Sequence, residues 1–441
     1  MRRSLGLGLI ISAGLSAGCS STTNPPGFDA GSGQGGAGGT AGAAGVGGTA
    51  GAAGDSGRDA GADGPVAQLA PPAATGLVAL NSDFSTTSLS ILSSAGALLH
   101  ADCVDSATGA SGSSTPTISG DAVLPSQPQR GGNVVIIDRG NGALTFVNPS
   151  ACIITRQIAI PGGAKTDPHD VVLISDTKAY VTRYGQNLAA TDATLAGDDV
   201  AVISPTTGAQ TARINLDAYA STTSILERPD RAIIANGMVV VSLDEIDATF
   251  ATYGEGKLAV IDPATDQVST SLALTGLSDC EGMAYVDSTK TLLVACGGPY
   301  GGPVTASGIA VVDLSGSTPT LSHIVPSSAF DGRPLGVGWV LVLPPTAGGT
   351  RAFAVTNDPN ATDPDALFAF DYVASTATKF ASSAAFSIGQ PAGEPGLLVV
   401  PLSTLTTPQI QLYDVSAAPQ ATTAFTSDPT TNLPPQEVAA Y

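Results

Sequence analysis

The chain is short of basic residues, of histidine and tryptophan, and of long apolar runs. Lys and Arg together number 17 against 37 Asp and Glu, a net charge of −20. Such a field repels phosphate backbones and anionic lipid headgroups, which removes nucleic acid as a partner and leaves cations, basic ligands or neutral glycans. The longest apolar run, Leu5 to Leu15, is too short to span a bilayer, which takes about 18 or more apolar residues. The globular region contains no HExxH, CxxCH, GxSxG, Walker or dinucleotide-binding pattern, so no ready-made catalytic signature is written into it.

What is present is repetition. Lys257 to Leu274, KLAVIDPATDQVSTSLAL, reads as an alternating strand, a tight turn through Pro263-Ala264-Thr265-Asp266, and a second strand. The first strand returns as LSILS (Leu89 to Ser93), LTFVN (Leu144 to Asn148), VAVIS (Val200 to Ser204), IAVVD (Ile309 to Asp313), LFAFD (Leu367 to Asp371) and IQLYD (Ile410 to Asp414). That makes seven copies at steps of 43 to 58 residues. A period of this size, with about four strands per unit, predicts an all-β fold, a seven-bladed β-propeller over residues 75–441. The segment Gly76-Leu77-Val78-Ala79-Leu80 matches a second strand of the repeat, not a first. The C-terminal Pro434 to Tyr441 matches inner strands such as Pro168 to Leu173. The last strand is therefore expected to supply the missing inner strand of blade one and close the ring, which removes exposed sheet edges.

Ahead of the repeats, Met1-Arg2-Arg3 and the apolar run form an export signal over residues 1–18. Residues 19–74 include a Gly/Ala-rich tract too poor in large apolar side chains to offset its ordering entropy, and are expected to be a disordered tether. Leu15-Ser16-Ala17-Gly18-Cys19 resembles the lipobox of bacterial lipoproteins, with the leucine one place further from the cysteine than in that family. The resemblance implies lipidation of Cys19 and attachment to the cell envelope, and Ser20 in the next position goes with the outer membrane. Export permits disulfides. Cys280 and Cys296 flank the turn Asp287-Ser288-Thr289-Lys290 symmetrically, which favours a cross-strand bond and leaves Cys103 to pair with Cys152. Buried thiols or a metal site are the alternatives.

KAYVTR (Lys178 to Arg183) and the KLAVID unit resemble the YVTN family of seven-bladed propellers, most clearly in blades three to five. Arg183 stands where that family has Asn, and Trp339 is the only tryptophan, so the WD-repeat signature is absent. The resemblance implies the fold and an extracytoplasmic setting and leaves the chemistry open.

Two sets of residues are candidates for function. The loops joining second to third strands are long (Tyr184 to Asp198, Asp244 to Gly256, Gly297 to Ser307, Asn357 to Pro364), whereas turns on the opposite face are minimal. These loops are rich in acids, among them Asp192, Asp198, Asp199, Asp244, Glu245, Asp247, Asp358, Asp363 and Asp365. Alignment of the inner strands also places an acid at or beside the same point in several blades: His169-Asp170, Asp230, Glu281, Glu394 and Glu437. Carboxylates meeting at a channel mouth repel unless protonated or neutralised by a cation, so a Ca²⁺-like ion is the implied cofactor, with His169 offering a nitrogen. Pairing with Arg228, Arg231 or Arg333 is the alternative. His323 falls in an outer strand and His100 at the edge of blade one. The resulting expectation is a monomeric, lipid-anchored binding module, with no catalytic residues, that engages a protein or glycan through its long-loop face. Its rival is a metal-dependent hydrolase or lactonase with its site at the channel mouth.

Overall fold

A computed structural model of the chain describes residues 69–108, 118–346 and 349–441. The export signal, Cys19 and the Gly/Ala tract, within residues 1–68, lie outside the described residues. Seven four-stranded antiparallel sheets follow one another as the blades of a propeller. In blade four the strands, from inside out, are Pro229–Ala235, Met238–Leu243, Lys257–Asp262 and Gln267–Ala273. Blades three, five and six repeat this order, starting at Pro168, Cys280 and Leu335. Blade seven, which has the least regular repeat, is completed by an exposed outer strand, Gln420–Phe425. Among the described residues no helix is long and apolar enough to cross a membrane.

The period-two alternation of the repeat explains the packing. In Met238–Leu243 and Lys257–Asp262, Val240, Leu258 and Val260 point toward blade five, and Val239, Val241, Ala259 and Ile261 toward blade three. Both faces of each sheet are buried, so the strands read as nearly continuous apolar runs. One apolar cluster fills each of the seven gaps between neighbouring blades, the last joining blade seven to blade one through Leu77, Ala79, Val399, Ile410 and Val438. Leu69, just ahead of the first strand, packs against the cluster between blades three and four.

Closure follows the expected route. Pro435–Ala440 pairs antiparallel with Leu77–Ser82, with Leu77 opposite Ala440 and Leu80 opposite Glu437. The Tyr441 carbonyl accepts hydrogen bonds from Thr75 N and Gly76 N, and Pro434 O accepts one from Ser82 N at 2.9 Å. The cysteines bond as Cys103–Cys152, linking blades one and two, and Cys280–Cys296, which sit directly opposite each other on the first two strands of blade five.

Blade two departs from the scheme. Its inner strand is only Ala122–Val123, and the chain then leaves the sheet until Val134. The excursion reaches the inner strands of three other blades: Leu124 N donates to Glu437, Ser126 N to Asp170, and the Gln127 amide both accepts from Ile234 N and donates to Ile234 O. Gln129 accepts from Leu173 N at 2.9 Å. A segment tied to the inner strands of blades one, three and four lies inside the ring, so this part of the channel carries a plug.

Candidate functional site

The inner strands begin at the long-loop face, and those of blades three, four and five begin irregularly. Asp167, Arg228 and Asp279, which immediately precede the inner strands of blades three, four and five, all have left-handed backbone conformations, with φ of 43°, 46° and 55°. The register of the inner strand against the second strand then slips at His169, at Asp230-Arg231 and at Glu281-Gly282. A bulge turns a side chain off the normal alternation, and at these positions the re-aimed groups gather at the channel mouth. Positive φ outside glycine carries a conformational cost that surrounding contacts must hold in place.

The sequence-derived candidates separate into three groups. Asp230 and Glu281 come together, and with them Asp244, the first residue after the second strand of blade four: one oxygen from each carboxylate lies within 4.8 Å of the others, and all three residues are buried. Asp170 and Glu437 sit one residue further along their strands and serve the plug. Asp170 accepts hydrogen bonds from Ser126 N, Val171 N and Ala232 N, and Glu437 accepts from Leu124 N at 2.7 Å. Glu394 corrects the expectation: it pairs with Leu397 across a tight turn, while Ile388, at the other end of that strand, faces Leu402. The carboxyl therefore lies at the short-turn end. The inner strand of blade seven starts nearer Ile388 than its sequence suggests, because it is broken before Ala392.

His169 has a different part from that of an offered ligand. Its Nδ1 is hydrogen-bonded to Asp230 Oδ1, and its Nε2 lies 3.3 Å from Asp167 Oδ2, so both nitrogens face carboxylates. The ring stacks on Tyr184 with centroids 4.2 Å apart and planes 5° from parallel. Burial works against the imidazolium, but Asp167 and Asp230 outweigh it and raise the His169 pKa. His169 is thus held between two carboxylates and orients Asp230. On the other side of Asp230, Arg231 Nε stands 3.5 Å from Oδ2.

These neighbours split the acids electrically. Burial tends to raise the Asp230 pKa, yet Arg231 and His169 overcome it and hold the group below its ordinary value. Asp244 and Glu281 have no cation in ion-pair contact, and the more distant Arg228 and Arg231 act on them weakly. Burial first, then the Asp230 charge, pushes both well above the carboxylate range, and the same causes raise Asp279 to about 7. Neither oxygen of Asp244 makes a well-formed hydrogen bond, nor does Oδ2 of Asp230, although Tyr184 stands beside the first and Arg231 beside the second. Buried acceptors are normally satisfied, so these oxygens mark the mouth as a place made for something else.

The loop acids mostly brace their own loops. Asp192 caps a short turn through Thr194 N, Asp247 accepts from Thr249 N and Ala251 N, Asp365 from Ser387 N and Ile388 N, and Asp363 pairs with Arg333. Arg183, in the place of the YVTN asparagine, forms a fully buried two-pronged bond with Asp199, both contacts at 2.7 Å, and also binds Pro161 O and Thr194 O. Arg228 lies between Tyr184 and Phe250, 5.0 and 4.0 Å from their ring centroids, and donates to Ile246 O and Asp247 O. Asp244, counted in the sequence with the loop acids, and Asp279, not singled out there, belong instead to the mouth. Each directly abuts a strand end, which is the signal that could have found them.

No family model matches the chain, and no curated protein resembles it in sequence. Solved structures do resemble it in fold. A protein of Bacteroides fragilis carrying only a provisional 6-phosphogluconolactonase name is 10% identical over 83% of this chain and 98% of its own, with a TM-score of 0.49. A protein of unknown function from Desulfotomaculum acetoxidans is 12% identical with a TM-score of 0.46, over 83% and 98% of the two chains. Apo AztD from Citrobacter koseri is 12% identical with a TM-score of 0.43, over 84% and 98%. These likenesses are of fold alone and say nothing about chemistry.

Proposed function

We propose that the protein is an exported, lipid-anchored propeller of the cell envelope that binds a partner protein through its long-loop face. The N-terminal pattern ending in Cys19 supports the anchor, Ser20 supports the outer membrane, and the two disulfides fit an oxidising compartment. One observation carries the binding reading. Of the eight large apolar side chains that stand exposed among the described residues, five (Phe84, Leu188, Leu195, Tyr300 and Leu405) sit on loops joining second to third strands, and Val373 alone sits on a short turn of the other face. Leu188 and Tyr300 are 85% and 86% exposed. These side chains stand on the long loops of four blades, which supports that face as the binding side, and the acceptors at the mouth give it a preference for basic groups.

The anchor is tested by Cys19→Ser, which moves the protein from the membrane to the soluble fraction if the reading is right and leaves it in the membrane if it is wrong. For binding, association of the purified protein with envelope fractions is compared between Leu188→Asp/Tyr300→Asp and Val373→Asp. A loss of tenfold or more in the first variant only supports the long-loop face; equal retention in both overturns it. The rival hydrolase reading draws on the Asp230, Asp244 and Glu281 grouping. It requires an esterase or lactonase turnover that Glu281→Gln abolishes.

A further inference from the structure

We infer that Asp230, Asp244 and Glu281 form a binding site for one hard divalent cation of the size of Ca²⁺. This inference is independent of the partner-binding reading. The geometry comes first. Ca²⁺ holds oxygens at about 2.3–2.6 Å, so oxygens on opposite sides of it stand roughly 4.6–5.2 Å apart, against about 4.0–4.2 Å across Mg²⁺. The three carboxylate oxygens, all within 4.8 Å of one another, are close enough to share one such ion.

Asp244 provides a second observation. It is 0% exposed, aimed at the other two acids, and both its oxygens are without a hydrogen-bond partner. Among the described residues no cation stands in ion-pair contact with Asp244 or Glu281. Arg228 is held by Ile246 O and Asp247 O between two rings, Lys257 lies 3.3 Å from Glu245, and Arg231 pairs with Asp230 and with neither Asp244 nor Glu281. The donor set is oxygen only, because both nitrogens of His169 face carboxylates, and such a set suits Ca²⁺ over zinc or copper.

All three ligands also stand on fixed parts of the scaffold. Asp230 and Glu281 lie at inner-strand bulges, Glu281 follows the disulfide-bonded Cys280, and Asp244 directly follows a central strand. A cation there would join the inner strands of blades four and five to the first residue of the blade-four loop.

The test is calorimetric titration of the chelator-stripped full chain with CaCl₂, MgCl₂ and ZnCl₂, with a thermal melt at each end point. One Ca²⁺ per chain is expected, bound at least tenfold more tightly than Mg²⁺, together with a rise in Tm. Asp244→Asn and Glu281→Gln should each weaken Ca²⁺ by a hundredfold or more, while Glu394→Gln at the other end of the propeller leaves it unchanged. Absence of saturable Ca²⁺ binding up to 1 mM overturns the inference, as does wild-type affinity in either ligand variant. Should a ligand variant fail to fold, as circular dichroism would show, the wild-type titration and Tb³⁺ emission excited through tyrosine decide. Tb³⁺ emission displaced by Ca²⁺ supports the site, and absence of emission overturns it.

Discussion

Asp170 and Asp230 are both fully buried acids at the beginnings of neighbouring inner strands, one residue out of step with each other. Asp170 accepts three backbone N–H groups and spans its own strand, blade four and the plug. Asp230 faces a histidine, an arginine and two further carboxylates, and one of its oxygens is left over. A shift of one position thus separates an acid that holds the fold together from one that faces the mouth. The same division runs between Glu437 and Glu281. Burial alone does not tell a structural carboxylate from a functional one; the count of its satisfied lone pairs does.

The comparison can be broken first at the ring itself. Removal of Pro434 to Tyr441 takes away both the closing strand and Glu437, which anchors the plug. Every blade depends on its neighbours, so the expected outcome is loss of the whole folded domain, read as loss of the β-sheet circular dichroism signal and of any cooperative melt. A truncated chain that melts like the intact one would show that closure is dispensable.

A more selective test opposes the two kinds of acid. Asp170→Asn weakens an acceptor that three buried N–H groups share and puts an N–H₂ donor among them. It should cost about 3 kcal/mol or more in urea unfolding. Asp244→Asn, measured in chelator, should cost under about 0.5 kcal/mol or stabilise, since burial already disfavours the charged form of a carboxyl that no ion pair holds. Equal costs would erase the distinction drawn above.

The smallest effect concerns Glu227, at the base of the blade-three and blade-four loops. Burial and the Asp198 charge raise its pKa from 4.5 to about 8. Between those two values the unfolded chain has lost the proton while the folded chain keeps it, so stability falls as pH rises through this window. Glu227→Gln stays neutral throughout. Its unfolding free energy should match the wild type near pH 4 and exceed it increasingly toward pH 8, by on the order of 1–2 kcal/mol, because the proton is shared with Asp198. A constant difference across the range would place the titrating proton elsewhere.

Much of the architecture was legible because it is written locally. The alternation in KLAVID and its six echoes, the mismatch between Gly76–Leu80 and a first strand, and the symmetry of Cys280 and Cys296 about their turn each depend on neighbours a few residues away. Blade seven and Glu394 were harder, since a broken strand carries no clear period. Of the mouth, the meeting of Asp230 with Glu281 follows from aligning strand beginnings. The parts played by Asp244, Asp279 and the nitrogens of His169 did not.

The sequence by itself determined the number of blades, their alternation and the use of the last strand to complete the first blade, because a repeated period-two pattern has one way to bury both faces of every sheet. Only the tertiary structure decided that Leu124 to Asn133 runs inside the ring against the inner strands and that Asp230 turns into the mouth while Asp170 turns into the plug. Those outcomes rest on one-residue register slips and left-handed residues at the strand beginnings, whose direction is set by contacts from blades distant in the chain.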